Sequence, residues 1–71
     1  MFIRSQDKTE LRLFNGVKVG RSGNIYFIYP IEGSSFHSIG DYTSLERCQE
    51  ILDEIQLGIE RDMSVFEMPE A

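Results

Sequence analysis

The sequence predicts an α+β fold: a small antiparallel β-meander of about five strands, one C-terminal amphipathic helix on one face, and a short terminal strand or tail. Three observations predict it. Thr43-Ser-Leu-Glu46 opens an apolar stripe at Leu45, Cys48, Ile51, Leu52, Ile55 and Ile59, and that spacing keeps one helix face apolar for about four turns. Before Thr43, short apolar runs alternate with Gly, Asn and polar turns. The 71 residues leave room for one core only, so residues 1–71 form a single domain. Strands fall within about 2–39, the helix at about 44–60, and a terminal strand or docked tail at about 64–68.

The first strand is Phe2-Ile-Arg-Ser5, followed by a polar turn at Asp7-Lys8. Leu11 and Leu13 alternate with Arg12 in a second strand. Asn15-Gly16 then reads as a hairpin turn into Val17-Lys-Val19, because a type I′ turn needs φ > 0 at both central positions. Gly20-Arg-Ser-Gly-Asn24 is the next turn. Ile25-Tyr-Phe-Ile-Tyr29 is apolar on both faces, as expected of a central strand covered on each side, and Pro30 ends it. The turn at 32–34 leads into Ser35-Phe-His-Ser-Ile39 as the fifth strand. Thr43 is the expected N-cap, in a capping box with Glu46.

Composition narrows the function classes. A core this small supplies no more than about 3–5 kcal/mol, and small folds commonly add staples or partners. Cys48 is the one cysteine, which excludes an internal disulfide, and His37 is the one histidine. Structural zinc needs several such ligands, so no metal or cofactor is expected. Self-association is the remaining device, most simply a two-fold dimer. No apolar run reaches the ~18–20 residues of a membrane span. The N-terminus lacks a secretory pattern and a lone thiol suits a reducing interior, so a cytoplasmic location is expected. The net charge of −5 argues against direct nucleic-acid binding, which rests on neutralising phosphates. That charge is uneven: residues 1–21 carry Arg4, Lys8, Arg12, Lys18 and Arg21 against Asp7 and Glu10, while the acids crowd the remainder.

Several segments carry a likeness to a known group. The opening Phe2-Ile-Arg-Ser-Gln-Asp-Lys8, the Ile39-Gly-Asp-Tyr-Thr-Ser44 approach to the helix, Leu52-Asp-Glu-Ile55 and the closing Phe66-Glu-Met-Pro-Glu70 resemble short proteins encoded by phages and mobile elements of low-GC Gram-positive bacteria. The resemblance covers both ends and the helix but not the middle strands, and it brings no catalytic residue with it. It implies a cytosolic accessory protein, and a C-terminus that belongs to the fold.

No enzyme is expected. Cys48 and His37 are the only nucleophile–base pair, and Cys48 lies on the inward helix stripe, where burial makes a thiol inert. A triad written from His37 with Ser35 or Asp41 has no recognised spacing. Binding is the remaining class, by two mechanisms. Arg4, Arg12, Lys18 and Arg21, with Tyr26 and Tyr29, suit a nucleotide-like signal, because guanidinium and aromatic groups together hold phosphate and base. Alternation places Arg4, Arg12 and Lys18 on one face, opposite Ile3, Leu11, Leu13 and Val17. Alternatively the chain blocks a host protein. The acidic stripe Glu46, Glu50, Asp53 and Glu60, interrupted by Leu57, offers one surface for this. The second apolar face of the sheet offers another: if Ile25, Phe27 and Tyr29 meet the helix, Tyr26 and Ile28 face away with Phe2 and Phe14. The expected function is therefore non-catalytic interference with a host defence process, by nucleotide sequestration or by protein blocking. A small structural or regulatory oligomer of a mobile element is the further alternative.

Overall fold

The computed structural model describes residues 1–14, 16–31 and 37–71. Along the chain run β1 (Phe2–Arg4), β2 (Leu11–Leu13), β3 (Val17–Ser22), β4 (Ile25–Pro30), β5 (Gly40–Tyr42), α1 (Leu45–Glu60) and β6 (Val65–Glu67). The strands form two three-stranded sheets, in the orders β2-β1-β6 and β3-β4-β5. All pairings are antiparallel except β1 with β6. The protein is thus α+β, with antiparallel-rich strands and one helix. The C-terminal segment is a strand, and the residues after it are docked.

Strand parity decides which side chains are inside. In β3-β4-β5, Val19, Ile28 and Gly40 stand in register, as do Tyr26 and Tyr42. Ile28 is 0% exposed and Tyr42 is buried, so this parity faces the core, where Tyr26 also packs. Ile25 is 43% exposed on the opposite parity. The expected facing of the central strand is therefore reversed: Ile28 is a core residue, not an interface residue, and Tyr26 packs beside it. The reason is period two, since choosing the other face moves every side chain of a strand across. On the outer side Phe27 and Tyr29 pack with ring centroids 5.6 Å apart. Gly20 makes room for them, because a Cβ there would overlap the Phe27 ring.

β2 and β3 do not pair with each other, so no hairpin joins them as expected from Asn15-Gly16. The Gly16 carbonyl accepts from the Ile31 amide at 2.9 Å and prolongs the β3–β4 ladder. Asn15 itself, the turn at 32–34, Ser35 and Phe36 lie outside the described residues. The expected fifth strand is shifted toward the helix, to Gly40–Tyr42. The Ile39 amide donates to the Ile28 carbonyl just before it.

The helix buries Cys48, Ile51, Ile55 and Gly58. Leu45 and Ile59, at its two ends, are exposed although both lie on the predicted stripe. Ser44, not Thr43, is the N-cap, with its hydroxyl accepting from the Arg47 amide. That shift puts Arg47 where the capping box needs Glu, so Glu46 serves the helix dipole only. The C-terminus closes by a Schellman arrangement: the Asp62 amide reaches the Ile59 carbonyl and the Met63 amide the Gly58 carbonyl. Asp62 takes the left-handed position, φ 58, usually given to glycine.

Gln6 ties the two sheets and the tail together. Its backbone amide donates to the Ile39 carbonyl. Its side chain accepts from the Asp41 amide at 2.8 Å and donates to the Asp41 and Glu70 carbonyls. The amide group thereby acts as an extra strand residue along the edge of β5. Beyond β6, the Met68 amide bonds to the Arg4 carbonyl and Met68 is buried. The Tyr42 hydroxyl donates to the Pro69 carbonyl at 2.8 Å, and burial pushes its pKa up to about 12.

Candidate functional site

The cations expected to share a face do not. Arg12 stands in register with buried Ile3, while Arg4 points to the other side of the same sheet. Lys18 shares a parity with Tyr29, and Arg21 shares one with Tyr26 on the opposite side of β3-β4-β5. Each has a local partner. Arg4 donates to the Lys8 carbonyl. Arg12 lies 3.5 Å from Glu10 and 5.2 Å from the Phe14 ring centroid. Lys18 sits over Tyr29 and Arg21 over Tyr26, with Arg21 also donating to the Gly23 carbonyl. The register of β1 with β2 sets Arg4 and Arg12 on opposite faces, and the parity of β3 does the same for Lys18 and Arg21.

The acidic helix face is partly neutralised. Arg47 bonds Glu50 at 3.1 Å and Glu54 at 3.3 Å, and its Nε donates to the Ala71 carbonyl. Glu60 accepts from Gln56. Asp53 and Leu57 are exposed on this side. The catalytic candidates are also apart in role. Cys48 is buried in the core, and burial pushes its thiol pKa up. His37 pairs with Glu10, and the Asp41 carboxylate accepts from the Ser38 hydroxyl at 2.7 Å. Among the described residues no cluster of His, Cys, Asp and Glu has the makings of a metal site, and no helix is long and apolar enough to cross a membrane.

An exposed apolar row lies on β2-β1-β6. Leu13, Phe2 and Val65 stand in register across the three strands, and all three are exposed, Leu13 at 60%. Side chains so aligned on neighbouring strands touch. Beside this row lies a second: Leu11, Arg4 and Glu67, with Lys8 4.0 Å from Glu67. Of the interface residues expected from sequence, only Phe2 belongs here; Phe14 packs on the core instead. Leu11, Leu13 and Val65 were missed. Leu11 and Leu13 look like core by alternation, but β2 follows the parity of β1, which turns Ile3 inward and Arg12 with it.

A second apolar feature, an open groove of about 470 Å³, runs between the C-terminal half of the helix and the sheets. Met1, Phe14, Val17, Leu52, Ile55 and Ile59 line it. At the other end of the molecule the turn after β1 is held by Asp7, whose carboxylate accepts from the hydroxyls of Ser5 and Thr9, each at 2.7 Å, and from the Thr9 amide. These bonds, the Thr9 hydroxyl first, lower the Asp7 pKa to about 2, against about 3.9 in an unfolded chain. A depressed folded pKa means that the ionised form favours folding. The contribution is complete above about pH 4 and is lost as the pH falls toward about 2. Carboxyl NMR titration is expected to place the Asp7 midpoint near 2, and Thr9→Val should raise it.

No protein family, curated protein or solved structure matches the chain.

Proposed function

We propose that the chain is a non-catalytic binding protein that works in the cytoplasm by occupying another protein through the outer face of β2-β1-β6. The observation that carries this is the exposed Leu13–Phe2–Val65 row, since soluble chains rarely leave contiguous large apolar side chains open without use. Arg4 beside the row matches a carboxylate on the rim of a partner surface with an apolar centre, while Lys8 pairs with Glu67. The resemblance to phage and mobile-element proteins supports a host component, such as part of a defence system, as the target. Nucleotide sequestration has less support, because Arg4, Arg12, Lys18 and Arg21 lie on different faces. The acidic helix also has less, because Arg47 already engages Glu50.

The test compares Phe2→Glu with Leu13→Glu and, as control, the double reversal of Glu50 and Asp53 to Lys. Surface changes of this kind alter stability within about 0.5 kcal/mol, so all variants should melt like the parent. Capture of the host partner should be lost in the sheet variants and retained in the helix variant. The opposite pattern would assign the work to the helix. A nucleotide sponge would instead be stabilised by nucleotide, by about 2.7 kcal/mol at a hundred times its Kd; no such shift is expected.

A further inference from the structure

β2 ends its sheet, with β1 on one side only. The direction of its backbone groups follows from the ladder. The Phe2 amide donates to the Ser64 carbonyl and the Arg4 carbonyl accepts from the Met68 amide, so Phe2 and Arg4 turn their polar groups toward β6. Ile3, between them, turns toward β2 and meets Arg12. Leu11 and Leu13, opposite Arg4 and Phe2, therefore direct their N–H and C=O groups away from the sheet. The Ser5 amide bonding to the Glu10 carbonyl fits the same alternation. Among the described residues nothing bonds to Leu11 or Leu13 from the far side, and every residue of β2 is exposed. Such an edge is a template for another strand.

Charge selects the occupant. In a two-fold antiparallel pairing centred on Leu11, Arg12 of each copy falls opposite Glu10 of the other, so two contacts between copies join the 3.5 Å Arg12–Glu10 contact within each chain, and Glu10 keeps His37 as a neighbour. Centring on Arg12 would set the two guanidinium groups against each other, which destabilises directly opposed strand positions. Centring on Leu13 would set Arg12 opposite Phe14 and bring no opposite charges together. We infer that the free edge of β2 pairs with the same edge of a second copy, in the Leu11-centred register, to give one continuous six-stranded sheet. An isologous contact of this type closes as a dimer. It goes beyond the proposed function: it uses the strand edge and leaves the outer face open, so its failure would leave partner capture by Phe2 and Leu13 untouched.

Sedimentation equilibrium of the full chain from about 1 µM to about 1 mM provides the test. The wild-type chain should dimerise in this range. R12E sets carboxylate against carboxylate and E10R cation against cation, so each alone should weaken association at least about tenfold. An equimolar mixture of the two restores both attractive contacts and should dimerise again. Leu11→Pro removes an amide that bonds nothing among the described residues, which an edge strand tolerates; it should keep the circular dichroism spectrum and lose the dimer. A wild-type chain that stays monomeric throughout overturns the inference. So does a dimer indifferent to R12E and E10R, or a mixture that fails to reassociate.

Discussion

Ile28→Ala is expected to leave the protein largely unfolded at room temperature. Ile28 is 0% exposed at the centre of β4, beneath the helix residues Cys48, Ile51 and Ile55 that share its core. Truncating a buried Ile to Ala costs about 2–5 kcal/mol, through lost transfer energy and the cavity left behind. A core of this size supplies only about 3–5 kcal/mol, so one such loss consumes most of the margin. The control is Ile25→Ala in the same strand on the other parity, where the side chain is 43% exposed and the cost should be within about 1 kcal/mol. Urea denaturation followed by circular dichroism separates them. Equal sensitivity at the two sites, or the reverse order, would mean that the helix covers the opposite face of the sheet.

Phe66→Ala should be comparably severe, at about 3–5 kcal/mol. Phe66 is the core-facing residue of β6, in register with Ile3, and both are buried. Its strand also supplies the parallel partner of β1, with the Ser64 carbonyl and the Met68 amide bonding at its two ends. Loss of the ring therefore loosens the N-terminus as well as the tail. Amide exchange should show it: the Phe2 amide, which donates to Ser64, should lose protection in the variant. Val65→Ala, on the exposed parity, should melt near the parent temperature. A Phe66→Ala protein with parental stability would show that the terminal strand is dispensable to the core.

These two substitutions also mark where local pattern stopped being sufficient. The helix was legible because its signal is local: Cys48, Ile51 and Ile55 recur at helical spacing, and all are buried as that spacing demands. The end near Glu60 was legible too, although the residue that closes it, Asp62 in a left-handed conformation, carries no glycine to advertise it. The cap moved from Thr43 to Ser44, a choice between adjacent hydroxyls that only the path of the chain out of β5 makes. The candidate site was less legible. Of its expected surface only Phe2 lies on the exposed row, while Ile28 and Phe14 turned inward and the cations dispersed.

By itself the sequence determined that a short-stranded, antiparallel-rich fold is closed by one helix, because hydrophobic period and turn chemistry act over a few residues and need no knowledge of the partner. What only the tertiary structure decided was which strand joins which sheet and which face of each strand is inside. Those choices rest on contacts distant along the chain: β6 beside β1, Gln6 against Asp41, Gly16 with Ile31. A strand reads almost equally well either way up, so Leu11 and Leu13 became surface and Ile28 became core once β1 and β5 fixed the parity of their neighbours.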